Sequence, residues 1–210
     1  MKVDLRDAWV LCAARRGSGK TTLCSWLIQK NQHHFKDIFV ISPSAFSGFW
    51  DELIPKENVQ HQWSEDWLQK LIDRMIMKNR GKNQKSEDFT RVLVILDDVL
   101  SSETKAHHSK ALKILASRGR HAGISVWLNI HYLTSCSPMM RNCASFILFG
   151  VNNQKSIELL HSEFGQGETI KEYSDFVRRN SRDYRFLVIN CEAKNTDASE
   201  IYGTLRAPHK

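Results

Sequence analysis

Short apolar runs alternate along the chain with stretches in which apolar residues recur every three or four positions. Strands are predicted for the apolar runs at residues 8–13, 38–41, 92–96, 124–130, 146–149, 184–190 and 201–205. Helices are predicted for the periodic stretches at residues 21–32, 105–118, 156–164 and 168–179, and for the stretch opened by Ser64-Glu65-Asp66. This alternation predicts an α/β fold in which helices flank a mostly parallel central sheet.

Residues 78–85 interrupt the pattern with a polar, basic stretch that predicts an exposed loop. The remainder of the 210 residues contains no internal repeat and no linker long enough to separate domains. We therefore expect a single domain over residues 1–210. The residues that carry chemistry fall within about 8–150, and residues 151–210 are expected to complete the sheet and the surface.

A glycine-containing loop, Ala14-Arg15-Arg16-Gly17-Ser18-Gly19-Lys20-Thr21, lies between the first predicted strand and the first predicted helix. Successive backbone N–H groups of such a loop bind phosphates, helped by the partial positive charge of the helix N-terminus. Lys20 is expected to reach the β- and γ-phosphates of ATP, the Thr21 hydroxyl to bind Mg²⁺, and Thr22 to face the base or the sugar. Glycine is the usual first residue of the loop, so Ala14 requires a negative φ there.

Two carboxylates, Asp97 and Asp98, directly follow the most strand-like run of the chain. In P-loop NTPases the first such acid binds Mg²⁺ opposite the threonine hydroxyl, and the second polarises the attacking water. We therefore predict Asp97 as a magnesium-binding residue and Asp98 as the catalytic base. Because the strand at 38–41 separates the loop strand from the acid-bearing strand in sequence, we assign the chain to the additional-strand (ASCE) division of P-loop NTPases.

A third group of residues surrounds the predicted strand at 124–130. Its members, in chain order, are Arg118-Gly119-Arg120-His121, His131, Pro138, Arg141-Asn142 and the apolar run at 146–149. Together with the phosphate loop and Leu96-Asp97-Asp98, this ordered set resembles the poxvirus-type genome-packaging ATPases of the FtsK–HerA lineage. The resemblance extends over residues 9–149, some two thirds of the chain.

The resemblance implies roles for the matching positions. His131 stands where the family usually has a glutamine that senses the γ-phosphate, and histidine can also donate a hydrogen bond. Arg120 is the first candidate for an arginine finger that completes the site of a neighbouring subunit, and Arg118 and Arg141 are alternatives. Arg16 stands where several viral packaging motors carry a loop arginine, so it is expected to reach the γ-phosphate.

The formal net charge of +7 suits a protein with an anionic partner. The resemblance implies that this partner is double-stranded DNA, moved by a homo-oligomeric ring (a pentamer or a hexamer) at a capsid or portal vertex. Exposed basic loops would hold the DNA backbone without reading its sequence. Two segments fit this role, one with Lys78, Arg80, Lys82 and Lys85 and one with Arg178, Arg179 and Arg182. For each, a solvated surface loop is the open alternative.

Other functions share parts of this pattern. A small kinase or a GTPase-like switch would also carry a phosphate loop, although no Asn-Lys-x-Asp run is present to recognise guanine. A cellular DNA pump and a nucleic-acid-binding adaptor that holds ATP without hydrolysing it are further alternatives. No apolar run approaches the ~20 residues of a membrane span. We expect no signal peptide and no membrane partner, and a location in the host-cell cytoplasm or a viral factory, or in association with the virion.

Overall fold

A computed structural model describes residues 2–100, 105–194 and 197–208 of the chain. The described residues build one eight-stranded sheet. Its strands are β1 (Trp9–Ala13), β2 (Asp37–Ile41), β3 (Val59–Gln60), β4 (Val92–Asp97), β5 (Ile124–Ile130), β6 (Phe146–Phe149), β7 (Arg185–Asn190) and β8 (Tyr202–Arg206). Every strand predicted from the sequence is present within one residue of its expected bounds, and the two-residue β3 was not predicted.

The strand order across the sheet is β3-β2-β4-β5-β1-β6-β7-β8. The first six strands in this order are parallel, and the last two are antiparallel to their neighbours. The mostly parallel sheet and the additional-strand division are therefore confirmed. The reason given for that division was wrong, because β2 lies beyond β4 in the sheet. The strand inserted between the loop strand β1 and the acid-bearing strand β4 is β5.

Helices cover both faces of the sheet. They are α1 (Lys20–Asn31), α2 (Glu65–Asn79), α3 (Lys110–Ala122), α4 (Pro138–Asn142), α5 (Gln154–Phe164), α6 (Ile170–Asn180) and α7 (Ala198–Ile201). Ser64 caps α2 as its sequence predicts, since its hydroxyl accepts a hydrogen bond from the N–H of Trp67 at 3.2 Å. Short 3₁₀ turns occupy several of the connections.

Several helix boundaries differ from the prediction. The helix predicted at 105–118 is divided into a 3₁₀ turn, Lys105–His108, and α3, which begins at Lys110. The helix α2 continues to Asn79, so Lys78 lies in its last turn and the basic loop begins two residues later than expected. The helix α3 ends at Ala122 rather than at Arg118, so Arg118 and Arg120 are helical. Gly119 permits this close approach of helix to sheet, because a Cβ there would lie 2.9 Å from the carbonyl oxygen of Ile124.

The alternation of side chains along each strand divides the core between the two faces of the sheet. Trp9, Leu11 and Ala13 of β1 point into the core beneath α2, α3, α5 and α6. Val10 and Cys12 point into the opposite core, which includes Leu23 and Leu27 of α1. Both faces are therefore apolar, and the polar side chains gather at the two edges where strands begin and end. Within the described part of the chain, no helix combines the length and the apolar character that crossing a bilayer requires.

Candidate nucleotide-binding and catalytic site

The phosphate loop connects the end of β1 to the start of α1. Gly17 and Gly19 have φ angles of 75° and 88°, in the left-handed region that glycine adopts without steric cost. Gly19 directly precedes the first residue of α1, Lys20, so the loop backbone and the helix N-terminus face the same space. This is the arrangement in which backbone N–H groups bind phosphate oxygens. Arg15 and Arg16 are exposed on the loop.

Ala14 occupies the first position of the loop without backbone strain. It is fully buried, and it is not among the described non-glycine residues with positive φ, as the sequence analysis required. Its methyl group fits because Gly150, which follows β6, has no side chain. A Cβ at Gly150 would lie 2.7 Å from the Cβ of Ala14 and 2.9 Å from the ring of Phe186. Gly150 thus makes room for the methyl group of Ala14, although the two residues lie 136 positions apart in the chain (150 − 14).

Replacing Gly150 by alanine is expected to lower the free energy of unfolding by about 1–3 kcal/mol, because the new methyl group overpacks against Ala14 and Phe186. Adding Ala14→Gly should recover part of this loss, since it removes the 2.7 Å contact and leaves the contact with Phe186. Urea unfolding of the two single variants and the double variant forms a double-mutant cycle. Strict additivity of the two changes would contradict the pairing.

A chain of polar contacts joins the phosphate loop to the second carboxylate. The Lys20 ammonium group donates to the carbonyl oxygens of Ala14 at 2.8 Å and Arg15 at 3.3 Å, and it lies 3.3 Å from Nδ1 of His131. The Nε2 atom of His131 lies 3.4 Å from a carboxylate oxygen of Asp98. The structure therefore brings together Lys20, His131 and Asp98, which are far apart in sequence.

Asp98 is placed to act on a molecule in the cleft. Its φ is 56°, a left-handed value that aspartate tolerates better than most residues. Its N–H donates to the carbonyl oxygen of Asn129 on the inserted strand at 3.2 Å. The Oδ1 atom of Asp98 is buried and has no hydrogen-bond partner among the described residues. Such an unsatisfied buried acceptor is characteristic of a site that another molecule completes.

Asp97 lies behind Asp98, 4% exposed, in a set of buried hydrogen bonds. The amide of Asn129 donates to one carboxylate oxygen at 2.8 Å, and the hydroxyl of Ser42 lies 3.4 Å from the other. The indole N–H of Trp127 in turn donates to the amide oxygen of Asn129 at 2.7 Å. Burial raises the pKa of Asp97, and the adjacent Asp98 charge adds to that shift while Asn129 opposes it. Sequence reasoning did not find Ser42 and Asn129.

The side-chain oxygen atoms beside the phosphate loop are ligands of the kind that Mg²⁺ prefers. Thr21 and Asp98 line the same cleft, and Asp97 lies directly behind them. Mg²⁺ usually keeps several waters and binds one or two carboxylates together with the phosphates of its nucleotide. The hydroxyl of Thr21 and the carboxylate of Asp97, the latter through water, would hold the ion. The unsatisfied oxygen of Asp98 fits a site that gains a charged or polar occupant.

A cleft of about 450 Å³ opens above the phosphate loop. Its walls are Arg16, Gly17, Gly19, Lys20, Thr21, Thr22, Asp98, His131, Tyr184, Ala207 and Pro208. The last three residues come from the turn before β7 and the end of β8, so the C-terminal third of the chain contributes to the site. The sequence analysis had assigned that third to the sheet and the surface only. A parallel sheet extended by two antiparallel strands is what carries these residues back to the loop.

The finger candidates lie away from this cleft. Arg120 and Arg118 are exposed near the end of α3, at the edge where β1 and β5 begin. The seven residues of β5 separate this edge from the phosphate loop by about 20 Å. Arg141 is 6% exposed and donates to both carboxylate oxygens of Glu163 at 2.9 Å and to the carbonyl oxygen of Cys136. Its guanidinium group is committed within its own subunit, which removes it from the finger candidates.

The two basic segments lie at opposite edges of the sheet. Lys78, Arg80 and Lys85 are exposed near the edge where the parallel strands begin, whereas Lys82 donates to the carbonyl oxygen of Asp88 at 3.0 Å. Gln84 of this segment donates to the carbonyl oxygen of Arg120, so the segment packs against the end of α3. The second segment, with Arg178, Arg179 and Arg182, immediately precedes β7 and lies at the phosphate-loop edge.

Comparisons with known protein sequences identify a family and a relative of this chain. A family model described as "Poxvirus A32 protein" matches residues 7–197. Uncharacterized protein 015R of Frog virus 3 (isolate Goorha) is 25% identical over 199 residues. That alignment covers 94% of this chain and 59% of the frog virus protein, so the chain spans less than two thirds of its relative's length.

Solved structures share the fold at low sequence identity. The genome packaging NTPase B204 from Sulfolobus turreted icosahedral virus 2, in complex with AMPPCP, has a TM-score of 0.65 and 15% identity, with 97% of this chain and 99% of B204 covered. The pCW3 conjugation coupling protein TcpA with ATPγS has a TM-score of 0.68 and 16% identity, with 99% of this chain and 62% of TcpA covered. The likeness identifies the fold as that of P-loop NTPases.

Proposed function

The chain belongs to the Poxvirus A32 protein family, and from that premise we propose that it is an ATP-hydrolysing motor that packages a double-stranded DNA genome into a viral capsid. The observation that carries the proposal is the contact chain from Lys20 through His131 to Asp98, at a cleft bounded by a phosphate loop. The similarity in fold to B204, a genome packaging NTPase whose structure is a complex with AMPPCP, supports the same function. We take residues 1–210 as one motor domain.

The hydrolysis step assigns one role to each of these residues. The Lys20 ammonium group exchanges its contacts with Ala14 and Arg15 for the β- and γ-phosphates of ATP. Asp98 accepts a proton from a water molecule, whose oxygen bonds to the γ-phosphorus while the bond to the bridging oxygen of ADP breaks. Thr21 and Asp97 would hold Mg²⁺, which would neutralise charge on the phosphates. Arg16 lines the cleft and adds a second cation near the γ-phosphate.

His131 connects the reaction to movement in this proposal. It contacts both Lys20 and Asp98, and its carbonyl oxygen accepts a hydrogen bond from the amide of Asn152 at 2.9 Å. Loss of the γ-phosphate would change the partners of Lys20, and therefore those of His131. The hydrogen bond between Asn152 and His131 links the residues that follow β5 to those that follow β6. These residues would form the route by which hydrolysis shifts the surface of the domain.

A ring is proposed because a finger at Arg120 would act on the nucleotide of another subunit. Arg120 lies about 20 Å from its own phosphate loop, and an arginine there can complete only the site of another subunit. Arg118, one helical turn from the same end, is the alternative finger. We propose a homo-oligomeric ring, a pentamer or a hexamer, that acts at a capsid or portal vertex. Such a motor would act in the host-cell cytoplasm or a viral factory, or be associated with the virion.

The proposed DNA contacts come from the basic segment at residues 78–85. Lys36 lies beside Lys78 and lowers the pKa of Lys78, while Asp37 opposes this shift. For duplex DNA, the logarithm of the binding constant falls linearly with the logarithm of the salt concentration. Replacing Lys78, Arg80 and Lys85 together by alanine is expected to make this slope less negative by about 2–3. The matched control is the triple alanine variant of Arg178, Arg179 and Arg182. A slope unchanged by the first variant and flattened by the second would move the DNA contacts to the phosphate-loop edge.

The proposed activity is tested by ATP turnover of the purified chain with Mg²⁺, with and without duplex DNA, and with no small-molecule acceptor. Duplex DNA is expected to stimulate turnover, because translocation consumes ATP only while DNA is engaged. Heparin serves as a polyanion without a duplex, and Lys20→Ala as the inactive variant. Turnover that requires a small-molecule acceptor would favour a kinase. ATP binding without any turnover would favour the adaptor.

A further inference from the structure

Tyr184 presents an aromatic ring at the nucleotide cleft, beside Gly19 of the phosphate loop. Its side chain is among the exposed large hydrophobic groups, with 51% of the residue accessible. Asp183 and Tyr184 have φ angles of 57° and 58°, a left-handed pair that is unusual for a bulky residue. Backbone in this region costs energy and is concentrated at functional sites. The turn therefore holds the ring where ordinary strand geometry would not.

The position of the ring is fixed against the phosphate loop. The N–H of Ala207 donates to the carbonyl oxygen of Tyr184 at 2.9 Å, which ties the turn to the end of β8. A Cβ built on Gly19 would lie 3.3 Å from the Tyr184 ring and 3.2 Å from the Cβ of Ala207. The glycine at that loop position thus allows Tyr184, Ala207 and Pro208 to form one wall of the cleft.

We propose that Tyr184, with Pro208 beside it, is the platform on which the base of the bound nucleotide stacks. Lys20 and Thr21 are expected to bind the phosphates, so the nucleoside takes its place among the other residues that line the cleft. Of these, the wall of Tyr184, Ala207 and Pro208 offers an aromatic face and apolar surface. Stacking on an aromatic side chain suits any base, because every base has a π-face. The inference rests on the proposed binding of ATP at this cleft, and it does not depend on hydrolysis or on DNA.

The test compares ATP with inorganic tripolyphosphate, which carries the phosphates without a base. Tyr184→Asn removes the ring and keeps a residue that tolerates left-handed φ. It is expected to weaken ATP binding by about 5- to 150-fold, the effect of losing one stacked base, and to leave tripolyphosphate binding unchanged. GTP binding should weaken in parallel with ATP binding. Tyr184→Phe, which keeps the ring, should retain the affinity of the unmodified protein for ATP.

Two results would overturn the platform. One is an ATP affinity that Tyr184→Asn leaves unchanged, and the other is an equal loss of ATP and tripolyphosphate, which would indicate a disturbed phosphate loop. The proposed motor fails separately: a protein that binds ATP through Tyr184 but never turns it over in the presence of duplex would lose the motor assignment and keep the platform. Both binding constants are measured by calorimetry on the whole chain.

Discussion

Replacing Arg120 by alanine is expected to lower ATP turnover of the assembled ring by about 10³- to 10⁵-fold, while ATP binding is retained. An arginine finger stabilises the charge that develops on the γ-phosphoryl group in the transition state, so its removal affects turnover far more than affinity. Arg120 is exposed at the end of α3, at the sheet edge opposite the phosphate loop. As the proposed finger, it would act on the nucleotide of a neighbouring subunit. Arg118→Ala is the comparison that identifies which arginine acts.

Mixing two inactive variants tests this action between subunits. In rings that combine Arg120→Ala with Lys20→Ala, about one interface in four pairs an intact Lys20 with an intact Arg120, so turnover should return in part. Arg16 provides the matched control, because it lies on the same loop as Lys20. Rings that combine Arg16→Ala with Lys20→Ala contain no complete site and should stay at the level of Arg16→Ala alone. Recovery in the control, or none with Arg120, would contradict the assignment.

Replacing Asp98 by asparagine is expected to lower kcat by about 10²- to 10⁴-fold, the usual effect of removing a general base. The amide keeps the size of the side chain but cannot accept the proton of the attacking water. The affinity for ATP, measured by fluorescence of a labelled analogue, should change much less than kcat. Asparagine is also the appropriate variant because Asp98 has a left-handed φ, which asparagine tolerates.

Turnover unaffected by Asp98→Asn would remove Asp98 from the reaction and contradict its assignment as the general base. Asn129 offers a second comparison, since it contacts Asp97 and the backbone of Asp98 without reaching the cleft. A residue of this kind positions the acids, so its substitution should affect the Mg²⁺ dependence of turnover as well as kcat. A loss of kcat alone indicates a base, whereas a loss of kcat together with a changed Mg²⁺ dependence indicates a positioning residue.

The phosphate loop and the acids could be predicted because their chemistry is local in sequence. A loop between strand and helix, and two carboxylates after an apolar strand, each require only neighbouring residues. The partners of these groups come from the tertiary fold. Asn129 lies within an apolar strand and points to Asp97 only because β5 is inserted beside β4. No pattern along the chain distinguishes Asn129 from any other polar residue within an apolar strand.

The same distinction explains the errors. Arg141 has the sequence setting of a finger candidate, and only the tertiary fold brings its guanidinium group to Glu163 of α5. The helix α3 continues through Arg120 to Ala122, and Gly119 allows its close approach to the carbonyl oxygen of Ile124, a contact that the local sequence does not predict. The strand at 38–41 was correctly located, but its position between β1 and β4 in sequence was the wrong basis for the additional-strand assignment, since sequence order does not fix spatial order in a parallel sheet.

The antiparallel pair β7 and β8 has a consequence for how the chain can be shortened. A fragment that stops at residue 183 would keep every residue that the sequence motifs single out, from Ala14 to Arg141. It would lack the aromatic turn and the β8 end that form the far wall of the cleft. Phe149 would also lose its strand partner Leu187, leaving the edge of the sheet beside the phosphate loop open to water. The smallest working unit is therefore set by the last strand.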